Sequence, residues 1–314
     1  TIWSMFSFKE ENGGYKYIDF SSCIERGWSE STCSYLGVGS IKNYDIFVND
    51  IVKKTGLVRE EIISYGIRDK LFGPRYITFI VKDMKGIIRG FVSRYLDWNR
   101  ECGEPKYRNP AIEDNPFYKK EEILYLGNLT TYYSGTRIDV FEGYGSAVTA
   151  HQAGLFNSCA IGGTALTDKH IKLLTNGAPY RHINLVLDQD ETGIEHMSKY
   201  MERLGGNQNF VLTITNLPIP KEDLEVYGQN DPDYFIRKYG IQKYRSLKPV
   251  GIFEYMIEKR ASGLLPSSPE AVAFCKSMVP LLINHSSMID RGQRIKILSD
   301  ITGVPKDDIK DEIY

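Results

Sequence analysis

The sequence predicts an α/β protein with an α+β N-terminal part, a central parallel sheet and a helical C-terminal part. After residue 137, four short apolar runs alternate with helix-like segments, which is typical of parallel strands joined by right-handed crossovers. After residue 233 the pattern is helical to the end of the 314-residue chain. These two observations decide the fold class.

The N-terminal part is predicted to combine a short helix with a β-hairpin. Ser29 can open the helix and Gly37 can end it. The runs 76–81 and 87–92 read as strands around a turn at 83–86, which indicates a hairpin. The following segment, 97–120, is polar and rich in Pro, Asn and Gly, and we expect a functional or mobile loop there.

The central part is predicted to contain four strands, at 138–141, 158–161, 183–187 and 210–214. One helix follows the first strand up to Gly154. Thr167 caps the next helix, which runs through Leu174, and a third helix covers 191–204. Breaks between the C-terminal helices are expected at 266–269 and 301–305.

Composition and charge exclude several protein classes. No apolar run reaches the roughly 18 residues that a membrane span requires, and the N-terminus lacks signal-peptide features. Five dispersed cysteines without C-x2-C spacing favour reduced thiols, a cytoplasmic location and no zinc site. The net charge is −1, yet residues 68–120 are rich in Lys and Arg interleaved with aromatics. That pattern is typical of a single-stranded nucleic acid track, with an ordinary solvated surface as the alternative.

Acidic residues follow the strands of the predicted sheet. Glu142 follows the first strand, Asp188 and Asp190 follow the third, and Asp231 and Asp233 follow the fourth after a loop. Because carboxyl ends of parallel strands meet at one edge, we expect these carboxylates to converge. Such a set can hold Mg²⁺ against a phosphate. Helix capping is the alternative for each element taken alone. The pattern predicts metal-dependent phosphate chemistry.

Several segments resemble known families. Glu142-Gly143-Tyr144, the turn 162–167 and the stretch 187–193 resemble the Toprim module of topoisomerases, primases, nucleases and recombination proteins. The stretches 163–170 and 231–240 resemble DnaG-type bacterial primases specifically. Segments 25–32, 36–39, 90–94, 106–110 and 117–125 are similar, in the same order, to the flanking motifs of that core. The resemblance spans roughly residues 20–314.

The resemblance implies a DNA primase: an RNA polymerase core that makes short primers from ribonucleoside triphosphates by divalent-metal-dependent nucleotidyl transfer. It implies an N-terminal basic mixed α/β subdomain over 1–135, a Toprim metal-binding domain over 136–240 and a helical subdomain over 241–314. The implied partners are a single-stranded DNA template, a replicative helicase and a separate zinc-binding module, with no membrane.

The resemblance also implies roles for individual residues. Glu142, Asp188 and Asp190 are expected to be catalytic and to bind two or more Mg²⁺ or Mn²⁺ ions. Asp231 and Asp233 are expected to hold a further ion or the incoming triphosphate. Nucleotide or DNA contacts are expected from Arg75, Arg94, Lys106, Tyr107, Asn109 and Lys120.

The chain departs from the family pattern at several positions. Ser146 stands where the family has an Asp, Arg108 and Pro110 replace a Leu and a Ser, and 92–93 replace a Gly pair. No zinc-ribbon spacing and no P-loop are present, and the chain lacks an initiator Met, which favours a phage-encoded primase. A Toprim nuclease and a non-catalytic replisome adaptor that binds DNA or helicase stay open as alternatives.

Overall fold

One antiparallel β-sheet, one mixed β-sheet and a set of helices form the described part of the molecule. The structure is a computed structural model, and it describes residues 14–99, 101–111, 115–133, 135–163, 166–176, 180–186, 210–220, 222–223, 231–283 and 288–313. The predicted helix at 191–204 lies outside these residues, as do Asp188 and Asp190. The α/β class that the sequence predicts is confirmed.

The first sheet is antiparallel throughout and has the strand order β1-β2-β3-β4-β5. Its strands are β1 (Ile18–Asp19), β2 (Val38–Ile41), β3 (Tyr76–Lys82), β4 (Ile88–Tyr95) and β5 (Tyr107–Arg108). The predicted hairpin is confirmed as β3 and β4, which pair from Tyr76 opposite Tyr95 to Lys82 opposite Ile88. The prediction of an uninterrupted loop over 97–120 is wrong at β5, because Tyr107 and Arg108 pair with β4.

Helices of the N-terminal part pack beside this sheet. They are α1 (Ser21–Glu25), α2 (Glu30–Leu36), α3 (Tyr44–Thr55), α4 (Arg59–Ser64) and α5 (Gly127–Thr130). The predicted helix boundaries of α2 are confirmed. The Ser29 side chain accepts a hydrogen bond from the backbone N–H of Thr32, and Gly37 ends the helix with φ +73°, a left-handed conformation that suits glycine.

The second sheet has the order β10-β9-β8-β6-β7, and β6 and β8 lie side by side near its centre. Its strands are β6 (Arg137–Phe141), β7 (Ser158–Ala160), β8 (His182–Val186), β9 (Val211–Ile214) and β10 (Val250–Gly251). The predicted parallel pairing of the first four is confirmed. The antiparallel edge strand β10 is absent from the sequence-based prediction, which assigned only helices after residue 233.

Two helices connect strands of the second sheet: α6 (Tyr144–Gln152) between β6 and β7, and α7 (Asp168–Asn176) between β7 and β8. Beyond β9, the helices are α8 (Pro232–Tyr239), α9 (Ile241–Ser246), α10 (Ile252–Arg260), α11 (Pro269–Ile283), α12 (Met288–Thr302) and α13 (Lys306–Asp311). The break predicted at 266–269 lies between α10 and α11 and ends where α11 begins, and the break predicted at 301–305 separates α12 from α13. No helix within the described ranges is long and apolar enough to cross a membrane.

Two hydrophobic clusters form the core. One runs from the first sheet into α6 and joins Phe79, Trp28 and Tyr144 with the buried side of α8. The other lies on the opposite face of the second sheet, where β6 and β8 pack against α7, α10, α11 and α12. The last residues of β6, β7 and β8, which are Phe141, Ala160 and Val186, belong to the cluster that also contains side chains of the first sheet.

Candidate active site

Glu142 directly follows the central strand β6. Its backbone carbonyl accepts a hydrogen bond of 2.8 Å from the N–H of Gly163, which fixes the chain ends of β6 and β7 to each other. Phe141, at the end of β6, is in register with Val186, at the end of β8. The sequence places Asp188 two positions after Val186. The predicted convergence of Glu142 with Asp188 and Asp190 stays a prediction, since the two aspartates lie outside the described residues.

Lys120 lies at the same edge as Glu142. Burial lowers the pKa of Lys120, and the negative charge of Glu142 acts in the opposite direction. Lys120 also borders, together with Tyr118, Tyr144 and Gly162, a packing gap too small to admit a water molecule. The charges of Lys120 and Glu142 therefore interact at the end of β6, and an ammonium group and a carboxylate in one site can hold an anionic phosphate beside a metal ion.

A second acidic pair begins α8, which packs against α6. The Asp231 carboxylate caps this helix by accepting a 2.8 Å hydrogen bond from the N–H of Tyr234. Burial raises the pKa of Asp231, and the charge of Asp233 raises it further, while Lys106 and Arg237 oppose the change. The structure thus brings Asp231 near Lys106, two residues for which the sequence predicts ligand contacts.

Asp233 is buried, and both of its carboxylate oxygens have partners. Arg237 donates to Oδ1 at 3.0 Å and to Oδ2 at 3.1 Å, and Arg26 donates to Oδ2 at 3.2 Å. Thr149 donates its hydroxyl to Oδ1 at 2.5 Å and itself accepts from the Trp28 indole at 2.8 Å. These contacts give Asp233 a role in joining α8 and α6 to the N-terminal part. Its predicted role as a metal ligand stays a prediction.

Two side chains of the first sheet, Arg94 and Tyr107, lie beside Tyr144, the first residue of α6. Arg94 donates to the Tyr107 hydroxyl at 3.1 Å, and its guanidinium lies 5.5 Å from the centre of the Tyr107 ring. Tyr107 in turn contacts the Tyr144 ring at 5.6 Å. The charge of Arg94 also contributes, after burial, to lowering the pKa of Arg26. Positive charge therefore concentrates where the first sheet meets the second.

Asn109 contacts Tyr118 and Tyr144, so it lies in the same group of side chains as Tyr107. Its Oδ1 accepts a 2.9 Å hydrogen bond from the Tyr118 hydroxyl and lies 3.4 Å from the Tyr144 hydroxyl. The two hydroxyls are 3.1 Å apart. Burial raises the pKa of Tyr118 to about 12, so this phenol stays neutral and serves as a donor. Asn109 orients these two tyrosines, which is a different contact from the predicted nucleotide contact.

The remaining predicted residues lie farther along the first sheet. Arg75 is exposed, pairs with Asp97 at 3.1 Å and hydrogen-bonds the Tyr95 hydroxyl. Lys106 places its ammonium 5.4 Å from the centre of the Trp98 ring. The structure therefore groups Arg94, Tyr107, Asn109 and Lys120 around Tyr144, two positions after Glu142, and it leaves Arg75 engaged with its own strand neighbours.

Two arginines of the site were not identified as site residues from the sequence. Arg26 and Arg237 lie 211 positions apart in the chain and meet on one carboxylate. Each stands in a stretch that resembles the primase core, 25–32 and 231–240, so the resemblance was the available signal. Across the described ranges, no cluster of three or more His, Cys, Asp or Glu is poised to hold a metal ion.

Comparison with known proteins confirms the resemblance. The Toprim-like family matches residues 140–228. A DNA primase of Clostridium acetobutylicum is 28% identical over 299 residues, which cover 92% of this chain and 47% of the relative. The chain thus spans less than half the length of that curated relative.

Solved structures agree on the fold. A DNA primase domain from Pseudomonas aeruginosa superposes with a TM-score of 0.70 at 20% identity, covering 100% of this chain and 99% of that domain. A DnaG primase catalytic domain bound to single-stranded DNA gives 0.67 at 19% identity, covering 98% of each chain.

Proposed function

Because this chain has the fold of the DnaG-type primase catalytic core and contains a Toprim-like region, we propose that it synthesises RNA primers on a single-stranded DNA template. The substrates are ribonucleoside triphosphates, and the reaction is nucleotidyl transfer. The observation that carries the proposal is the position of Glu142 at the carboxyl end of β6, where its charge acts on the partly buried Lys120. This end adjoins β8, the strand that leads to Asp188.

The donor set fits a hard divalent cation. Carboxylate oxygens of Glu142, Asp188 and Asp190 would hold Mg²⁺ or Mn²⁺, with Asp231 as a further ligand. When bound, the ions supply charge neutralisation at the transferring phosphoryl group. The Asp233 carboxylate already accepts from Arg26, Arg237 and Thr149, so its contribution is to hold α8 in place.

The chain's own cations bind and orient the phosphates. Lys120 donates to triphosphate oxygens beside Glu142, and Arg94 binds backbone phosphate from the face of the Tyr107 ring. Phosphate contacts fix register without reading sequence. Start-site choice then belongs to a separate zinc-binding module, and a replicative helicase delivers the template. These partners, action in the bacterial cytoplasm and a phage origin are parts of the proposal.

The two sheets support separate roles for three parts of the chain. Residues 1–135 form a basic subdomain that binds the template, 136–240 form the Toprim domain, and 241–314 form the helical subdomain. Strand β10 and helix α10 extend the second sheet beyond residue 240, because Val250 pairs with Ile214 of β9. The helical subdomain is therefore attached directly to the sheet that carries the acidic residues.

Primer synthesis on single-stranded DNA tests the proposal. The assay supplies all four ribonucleotides with Mg²⁺ or Mn²⁺ and compares the parent protein with the double variant Asp188→Ala/Asp190→Ala. Short template-dependent RNA from the parent alone supports the primase. Degraded template without RNA indicates a Toprim nuclease, and DNA binding without either product indicates a replisome adaptor.

A further inference from the structure

His170 is a fully buried histidine in the first turn of α7, at 0% exposure. Its Nδ1 accepts a hydrogen bond from the backbone N–H of Thr167 at 3.2 Å. Its Nε2 lies 3.2 Å from the carbonyl oxygen of Lys120. Because Nδ1 is an acceptor, Nε2 carries the proton and donates to that carbonyl. The imidazole is thus held as one neutral tautomer between two backbone segments.

Thr167 binds the carbonyl of Glu121, the residue after Lys120. Its hydroxyl donates to the Glu121 carbonyl at 2.6 Å and accepts from the backbone N–H of His170 at 3.1 Å. On the outside, Lys169 pairs with Glu122 at 2.5 Å. Three residues at the start of α7 therefore bind three consecutive residues of the 3₁₀ turn 120–122.

The turn held in this way carries Lys120 to the edge of the second sheet. Lys120 borders the packing gap beside Tyr144 and Gly162, and its charge interacts with that of Glu142. A lysine side chain has four rotatable bonds, so its ammonium is placed accurately only if its backbone is fixed. Within the described ranges, the contacts of Thr167, Lys169 and His170 join this turn to α7.

We propose that His170 is a positioning residue that acts through Lys120: its Nε2–H fixes the Lys120 carbonyl and so keeps the ammonium at the triphosphate site. The nucleotide part of this inference rests on the proposed function, because it assumes that Lys120 binds a triphosphate. The mechanical part, the fixing of the 120–122 turn, does not depend on any activity.

A matched pair of variants separates the two nitrogens of His170. The amide of Gln reaches the position of Nε2 and can still donate to the Lys120 carbonyl. The shorter Asn places its amide oxygen near Nδ1, keeping the Thr167 contact and losing the Lys120 contact. His170→Asn is expected to raise KM for ribonucleotides about fivefold, the worth of one hydrogen bond, with kcat little changed. His170→Gln is expected to stay near the parent.

A double-mutant cycle with Lys120→Ala tests whether His170 acts through Lys120. If it does, His170→Asn adds no further rise in KM once the ammonium is gone. Independent effects that multiply in the double variant would overturn the inference, because they would indicate a role unrelated to Lys120. A loss in kcat alone for His170→Asn would overturn it as well.

Amide hydrogen exchange gives a readout besides activity. The N–H groups of Glu122 and Ile123 donate to the carbonyls of Lys119 and Lys120, so they report on the turn. Faster exchange at 119–123 in His170→Asn, but not in His170→Gln, supports the positioning role. Equal exchange in His170→Asn and the parent overturns it. If the parent makes no RNA, the proposed function fails, and the exchange comparison alone decides the inference.

Discussion

Replacing Asp233 distinguishes a structural carboxylate from a metal ligand. A ligand carboxylate beside Asp231 repels its neighbour in the absence of metal, so its removal leaves the metal-free protein as stable as before or more stable. A carboxylate that neutralises two arginines behaves in the opposite way. Removing it leaves Arg26 and Arg237 without the partner that they share. Asp233→Ala is therefore expected to destabilise the metal-free protein.

The magnitude follows from the burial of the three groups. The Asp233 side chain is 5% exposed, and those of Arg26 and Arg237 are 24% and 33% exposed. Breaking a fully buried pair costs about 3–5 kcal/mol. Because the two guanidinium groups can regain some water, we expect about 2–4 kcal/mol for Asp233→Ala. Asp233→Asn keeps the acceptor for Thr149, and we expect about half that loss.

Urea unfolding in the presence of a chelator measures these changes. The matched control is Asp45→Ala, which breaks an exposed pair with Arg59 at 2.5 Å. An exposed pair of this kind is worth less than about 1 kcal/mol. If Asp233→Ala unfolds at the same urea concentration as the parent while losing Mg²⁺-dependent stabilisation, the structural interpretation of Asp233 is wrong and the metal-ligand prediction is right.

Three further predictions concern pH, salt and a close contact. Burial lowers the pKa of His151, so below about pH 6.5, the ordinary pKa of a histidine, the unfolded chain takes up a proton that the folded protein does not, and the free energy of unfolding falls as pH drops. His151→Gln should reduce the dependence of the free energy of unfolding on pH, measured by urea unfolding, by up to about 1.4 kcal/mol per pH unit. Arg94→Ala should reduce the slope of log K for single-stranded DNA against log salt by about 0.7, the loss of one phosphate contact, whereas Arg89→Ala, at the hairpin turn, should leave it unchanged in a fluorescence titration. Gly162→Ala should lower the free energy of unfolding by about 1–3 kcal/mol, because Gly162 has φ +69° and a Cβ there would overlap the Tyr144 hydroxyl; a thermal unfolding midpoint equal to the parent's would contradict this.

Local patterns were enough to predict much of the fold. The hairpin of β3 and β4, the helix between Ser29 and Gly37 and the parallel strands β6–β9 each follow from periodicity and turn residues within one stretch of sequence. Strands β1, β2, β5 and β10 were missed; β1, β5 and β10 have two residues each and β2 has four, and each forms by pairing with another strand. Two residues carry no periodicity, so tertiary context decides their conformation.

The candidate site shows the same division. Strand ends indicated Glu142, and the structure places it at the carboxyl edge of β6 as expected. The partners of Asp233 could not be read from any local pattern, because Arg26 lies 207 positions away in the sequence. The roles of His170 and Asn109 likewise depend on contacts with Lys120 and Tyr144, which lie 50 and 35 positions away in the sequence. The spacing of strands and acidic residues predicts which carboxylates lie at one sheet edge, whereas tertiary packing determines which of these carboxylates are paired with arginines, as Asp233 is.

The shared hydrophobic cluster has a consequence for how substrates enter. Tyr144, the first residue of α6, packs against Phe79 of β3 with ring centres 5.5 Å apart, and Trp28 reaches the same helix through Thr149. The described parts of the two sheets thus share one hydrophobic cluster. Because separating the sheets would expose this cluster to water, we expect template and nucleotide to bind while the two sheets stay in contact. For the same reason, we expect a fragment that ends at residue 135 to be less stable than the full chain, because it would expose the part of this cluster that α6 covers.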